Sequence, residues 1–236
     1  MSGIKEHNQF FIEYFCHLIK FVEENCLDRI EGTILFSCYL DSLSGYRWPT
    51  LGNRERFEKF ILTYSTEEST WIKISLPKYM KQLQVQNPEL LNSLDRLFRK
   101  VGVINNEYLR QGYNPDCTIL ELEKQADGVI LTPFSDELKK DINGYRYIDI
   151  LWKEYRNLAI HETRTHKDEA PGLWEDMDVP FYVHVHKGFE DKEGEPRFKI
   201  PSIFILRTLK NCLNGFAGYL DEQQIDIIQL ASQKRI

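Results

Sequence analysis

Arg156 and His161 are the two residues whose chemistry and spacing stand out. They sit in the run Tyr155-Arg156-Asn157-Leu158-Ala159-Ile160-His161-Glu162. A guanidinium holds a phosphate through paired hydrogen bonds and offsets charge that develops on it. An imidazole, with an unperturbed pKa of about 6.5, gives or takes a proton at neutral pH. With the 2′-hydroxyl of an RNA as nucleophile, the pair suits phosphodiester cleavage without a metal or any other cofactor. Asn157 lies four residues before His161, so on a helix it shares that face and can orient the imidazole or touch the phosphate. Arg156 and His161 are five apart, which separates them by about 140° on a helix of 3.6 residues per turn. They converge if the arginine curls back, if the helix frays or bends near Ile160, or if a second copy of the chain completes the cleft. The opposite reading is plain: Arg and His near a helix C-terminus also satisfy the last carbonyls and the macrodipole.

These residues need a helix, and the pattern supplies one. Gly144 precedes a segment from Tyr145 to about Glu162 with apolar Tyr147, Ile148, Ile150, Leu151, Tyr155, Leu158 and Ala159. Upstream, Phe10, Phe11, Tyr14, Phe15, Leu18, Ile19 and Val22 recur at three- and four-residue steps and predict a first helix with one apolar stripe. A second helix is expected over Arg29–Tyr46, with Ile30, Ile34, Leu35, Cys38 and Leu43 inward, ended by Trp48-Pro49 and Gly52. Asn53 is placed to cap a third helix through Phe57, Phe60, Ile61 and Tyr64. Asn87-Pro88 divides residues 72–101 into two helices, with Asn87 as cap and Pro88 at the first helical position. Residues 102–116 read mostly as loop, and a short helix follows over Thr118–Gln125. Phe181–His186 alternates as a strand and pairs with a return through Phe198 and Ile200, the turn falling in KGFEDKEGEP. Helices over Ser202–Leu220 and about 223–232 close the chain. The expected architecture is all-α, an antiparallel helical bundle forming a single domain over 1–236, with a small β-hairpin inserted at about 180–201. A division into two small domains near 102–116 is the alternative, though no second core stands out.

Composition narrows the classes. The chain has 236 residues, 30 of them aromatic, which is ample for a core. Its longest nearly apolar run, Thr33–Leu40, is far short of the roughly 18–20 residues a membrane span needs. The opening MSGIKEHNQFF does not read as a secretory signal. Five scattered cysteines without a C-x-x-C pair argue against a disulfide framework and for a reducing, cytoplasmic setting. A net charge of −6 disfavours a dedicated duplex-DNA binder. The charge is uneven, however: 168–178 holds five acids and no base, whereas 197–220 holds four bases and no acid. Such asymmetry permits a local site for an anionic ligand.

Other residues have two readings each. Asp41, inside an otherwise apolar helix, needs a partner; it either anchors a basic residue such as Arg156 or bonds within the bundle. Arg47, Arg164 and Lys167 either line an RNA path or are ordinary surface. Trp48, Trp71, Trp152 and Trp174 either stack on bases or fill the core. His184 and His186 share one face of the expected strand. With His161 or His166, and Asp176 or Asp178, they compose a conceivable metal site, but no recognised ligand spacing accompanies them, and no metal is assigned.

The run RNLAIH at 156–161 resembles the R-x4–6-H motif of HEPN domains, in which a polar residue typically follows the arginine, as Asn157 does here. ILFSCYLDSLSGYRW (34–48) followed by RFEKFI (56–61) is similar to the early helices of a bacterial branch of that family. That branch often carries a hairpin and a further helix after the motif. The resemblance implies a helical bundle and a metal-independent endoribonuclease of the toxin–antitoxin, abortive-infection or phage-defence kind. It implies Arg156 as phosphate ligand, His161 as general acid/base, Asn157 in support, and 2′,3′-cyclic phosphate and 5′-hydroxyl products. It also implies RNA as partner, a homodimer with a composite cleft, and an antitoxin or defence-system partner. One departure is informative. Thr163 stands where family toxins silenced by a nucleotidyltransferase carry a tyrosine. Some members are non-catalytic modules that only bind nucleotide or RNA, or dimerise. A metal-dependent hydrolase using His184 and His186 is the remaining, weaker alternative.

Overall fold

The computed structural model describes residues 2–27, 29–104, 108–109, 113–130, 134–157, 177–185 and 195–233. Among them the chain is mostly helical with one antiparallel two-stranded hairpin, as the sequence pattern implies. No helix of the described residues is long and apolar enough to cross a membrane. The residues gather into two compact units. One comprises Met1–Glu68, Leu151–Val179 and Ile200–Ile236; the other comprises Ser69–Ile150 and Pro180–Lys199. The division is therefore interleaved along the chain and does not fall at 102–116.

The first unit is built on α1 (Ser2–Cys26), α2 (Ile30–Arg47), α3 (Asn53–Tyr64), a π-helical segment (Leu151–Asn157) and two later helices, Ser202–Glu222 and Ile227–Gln233. Its interior is aromatic: Phe60 lies 5.8 Å from Phe216, and Phe11 lies 5.0 Å from both Phe15 and Tyr46. Ring contacts of this kind contribute beyond the area they bury. Asn8, buried in α1, fastens the C-terminal segment. Its amide donates to the Ile225 carbonyl at 2.8 Å, and its oxygen accepts from the Ile227 N–H at 3.0 Å.

Three expectations for these helices need correction. Phe10 and Tyr14 do not join the buried stripe of α1: they are 74% and 53% exposed, while Phe15, Ile19 and Val22 are buried. The inward face of α2 is Thr33, Phe36, Ser37, Leu40, Leu43 and Ser44, with Ile34, Leu35 and Cys38 only half-buried. Small polar Thr33, Ser37 and Ser44 are thus buried on the same face as the large apolar Phe36, Leu40 and Leu43. Asn53 is the first residue of α3 and not its cap, and the preceding Gly52 makes no side-chain bond.

The second unit contains α4 from Ser69 onward (Glu68–Trp71 in full), α5 (Leu76–Gln86), α6 (Pro88–Lys100), α7 (Ile119–Ala126), α8 (Asp136–Asn143), α9 (Tyr147–Ile150) and the hairpin β1 (Phe181–Val185) with β2 (Glu195–Lys199). It has its own core of Ile74, Leu76, Tyr79, Leu83, Leu94, Leu97, Phe98, Val103, Leu122 and Ile142. Asn87 caps α6 as expected, accepting from the Leu90 N–H at 3.0 Å, with Pro88 at the first position. Thr118 and Glu121 cap α7 reciprocally. Helix α8 has no counterpart in the sequence reading, although Ser135 caps it and Asp136 and Glu137 fill its first turn, a recognisable start signal. In the hairpin Tyr182 pairs with Phe198 and His184 with Pro196.

A buried carboxylate organises this unit. Asp116 accepts from the Leu76 N–H at 3.0 Å and from the hydroxyls of Tyr147 and Tyr182, each at 2.6 Å. When Asp116 is ionised both hydroxyls donate to it, and their oxygens are left to accept: Tyr147 from the Asn114 amide (3.0 Å) and Tyr182 from Ser75 (2.7 Å). One side chain thus ties together the start of α5, the 114–116 loop, α9 and β1. Burial pushes its carboxyl up to about 7, against the pull of the two phenols, the Leu76 amide and Lys73.

The folded chain keeps the Asp116 proton up to about pH 7, whereas the unfolded chain releases it near its ordinary value of 3.8. The folded state binds more protons across that window, so the contribution is full below it and declines as pH rises through it. The slope is at most about 1.4 kcal/mol per pH unit. Denaturation midpoints measured from pH 4.5 to 7.5 should fall less steeply for Asp116→Asn than for the wild type. Parallel profiles would show that Asp116 carries no such linkage.

Candidate functional site

The described part of the site is built on three elements of the first unit: α2, α3 and the π-helical segment. In α2 the carboxylate of Asp41 faces two arginines. Its Oδ2 lies 2.7 Å from Nη2 of Arg156, and its Oδ1 lies 3.3 Å from Nη2 of Arg56 on α3. The anchoring of Arg156 by Asp41, one of the two readings of that aspartate, is therefore present in the structure. The three side chains are 17%, 13% and 15% exposed for Asp41, Arg156 and Arg56. At this depth a charge is worth more than at the surface and costs more to leave uncompensated.

The ring of Trp152, buried four residues before Arg156, lies 4.4 Å under its guanidinium. This cation–π contact adds to the ion pair and fixes the plane of the fork. Trp152 in turn packs on Phe57 at 5.1 Å, so the tryptophan belongs to the core and not to an open stacking surface. Phe57 follows Arg56 in α3. The contacts thus close a circuit from Asp41 to Arg156, Trp152, Phe57, Arg56 and back to Asp41. Tyr155, also buried, holds the π-helical segment to the next element, its hydroxyl accepting from the Ile200 N–H at 2.9 Å.

The helix that carries Arg156 differs from the expected one. Among the described residues it is α-helical over Tyr147–Ile150 and π-helical over Leu151–Asn157. A π-helix bonds i to i+5, is rare, and is found frequently at functional sites. One turn before Asp41 on α2, Cys38 senses the cluster: burial pushes its thiol up, Arg156 pulls it down and Asp41 pushes it up further.

The remaining expected residues are placed as follows. Asn157 ends the π-helical segment. His161, Arg164 and Lys167 lie outside the described residues, as do His166, Trp174, Asp176 and His186. Arg47 is engaged in packing: its guanidinium lies 3.9 Å over the Tyr219 ring and 4.7 Å from the Trp48 ring, and its Nε donates to the Tyr64 hydroxyl at 2.8 Å. Trp71 is fully buried. Asp178 accepts from Arg207 at 3.0 Å. Among the described residues no three His, Cys, Asp or Glu side chains gather in a manner that would hold a metal ion.

Sequence reasoning missed Arg56 and Asp116. A signal for Arg56 exists: a cation near the N-terminus of a helix opposes the macrodipole and asks for an acid supplied from elsewhere. Asp116 lies in a loop without periodicity, and nothing local announces its three donors.

Asp41→Asn keeps the size of the side chain and removes the charge the two guanidiniums share. Breaking a fully buried pair costs about 3–5 kcal/mol; with a sixth of each group meeting water, the expected loss is about 2 kcal/mol. Adding Arg56→Gln should recover part of it, because the like-charge repulsion disappears. Urea unfolding of the wild type, both single variants and the double variant measures this, and strictly additive losses would reject the shared-charge account. Comparison of the chain with protein-family models, with curated proteins and with solved structures finds no match.

Proposed function

We propose that the chain is a metal-independent endoribonuclease of the HEPN type, with Arg156 and His161 as its catalytic pair. The observation that carries the reading is the setting of Arg156. The motif arginine does not hang in solvent; a carboxylate and an indole ring hold its guanidinium at a partly open position. A pre-oriented fork loses little freedom when it takes a phosphate. The spacing in the sequence adds support. Residues 156 and 161 are five apart, the spacing of one π-type hydrogen-bond step, and the described segment Leu151–Asn157, which carries Arg156, is π-helical.

In this mechanism Arg156 holds the scissile phosphate and offsets the charge of the transition state. The 2′-hydroxyl attacks phosphorus, losing its proton, while the bond to the 5′-oxygen breaks and that oxygen gains a proton. His161 serves as the general acid/base of these transfers, with Asn157 in support. The products are a 2′,3′-cyclic phosphate and a 5′-hydroxyl. A homodimer with a composite cleft, an antitoxin or defence-system partner, and a role in toxin or phage-defence biology rest on the resemblance alone; the cytoplasmic setting rests on the scattered cysteines.

A second reading has its own observation. Arg156 is 13% exposed and already paired with Asp41, which is also how a purely structural arginine looks. On that reading the chain is a non-catalytic module that binds nucleotide or RNA, or dimerises.

Cleavage of RNA in the presence of EDTA by wild type, Arg156→Ala and His161→Ala, each with its fold checked by circular dichroism, decides between them. The ribonuclease reading expects cleavage by the wild type, cyclic-phosphate ends, no cleavage of an all-2′-deoxy substrate, and a loss of about 100-fold or more in each variant. Equal cleavage by all three proteins rejects the assigned residues. A wild type inert on a broad set of RNAs favours the binding module.

A further inference from the structure

The ribonuclease reading gives the phosphate one ligand, Arg156. The structure brings a second cation to the same carboxylate. Arg56 reaches the site from α3, and among the described residues Asp41 is the one hydrogen-bonding partner of its side chain, at 3.3 Å. Its Nε is closed off from solvent and makes no hydrogen bond to any described residue. A guanidinium carries five donors, so one long bond leaves most of that capacity unused. Asp41 has given its shorter contact, 2.7 Å, to Arg156. The carboxylate is thus divided unequally, and the three groups together carry an excess of positive charge.

Two guanidiniums spaced by one carboxylate present donors from two directions to one place. Phosphate oxygens are recognised in this way, because arginine forks match their geometry and a doubly contacted anion is held in one orientation. The half-burial strengthens the attraction, since water screens it less than at an open surface. Phe57, beside Arg56 in the chain, packs against Trp152, the ring that underlies Arg156.

We propose that Arg56 is a second phosphate-binding residue, forming with Arg156 a two-arginine site for a phosphodiester of RNA, and that Asp41 is the positioning residue that spaces the pair. This rests on the ribonuclease reading for its ligand but not for its test, which reads binding and not cleavage.

Inorganic phosphate is titrated into the full-length protein while the Nε–H signals of Arg56 and Arg156 are followed by nitrogen-edited NMR, with chloride at matched ionic strength as control. Both signals should shift saturably with one dissociation constant. Arg56→Lys and Arg156→Lys should each weaken the affinity about tenfold, since an ammonium keeps the charge but loses the fork. The wild-type titration needs no variant to fold. An Arg56 signal that stays still while Arg156 titrates overturns the proposal, as does an equal shift with chloride or wild-type affinity in folded Arg56→Lys. A 2′-O-methylated oligoribonucleotide, which cannot be cleaved through the 2′-hydroxyl, is the second titrant. It should move both signals, and phosphate acting where the oligonucleotide does not would overturn the assignment to RNA. If phosphate and oligonucleotide bind as expected but no RNA is cleaved, the site stands and the catalytic reading falls.

Discussion

One carboxylate between two guanidiniums sets the local order of the first unit. Asp41 stands on α2, which packs against α3 and the π-helical segment, and its two oxygens bind an arginine from each. Neither arginine tolerates this depth without an acid nearby, and neither would keep its place if the acid were moved by a helical turn. The packing of Trp152 between Phe57 and Arg156 follows from that arrangement, because the ring fills the space beside a fork already held in plane. Polar and apolar contacts here enforce each other, which is how a half-buried ionic group acquires a unique geometry.

The second unit solves a related problem with the opposite outcome. Asp116 is buried among neutral donors, with no arginine on it, so its carboxyl holds its proton far more readily than an exposed one. Asp41 is matched by cations and Asp116 by phenols and an amide. The contrast shows that burial alone does not define an acidic residue's role; the charge of its partners does. Asp41 is the shared partner of two arginines, whereas Asp116 is a fastening among loop, helix and strand.

The π-helical segment bears on how Arg156 is presented. On an α-helix a residue five positions on points well away, and that divergence is the chief objection to Arg156 and His161 acting together. The described segment that carries Arg156 is π-helical up to Asn157, and the positions from there to His161 lie outside the described residues. The widened turn also sets Arg156 above Trp152 and lets Tyr155 reach the Ile200 amide. Three consecutive constraints, on residues 152, 155 and 156, thus fall on one short segment.

Much of the fold was legible in the chain because local rules determine it. Asn87-Pro88 starts α6, Thr118 and Glu121 start α7, and the alternation at 181–185 makes a strand, each through bonds within a few residues. The pairing of Asp41 with Arg156 was legible in part, because a carboxylate inside an apolar helix must have a partner. What the sequence could not supply is anything set by contacts between distant segments. The exposure of Phe10 and Tyr14, the burial of Thr33, Ser37 and Ser44 in α2, the π-helical turn, the arrival of Arg56 and the donors around Asp116 all depend on what packs opposite. Periodicity reports which residues share a side of a helix, but the identity of the neighbour on that side is a property of the assembled chain.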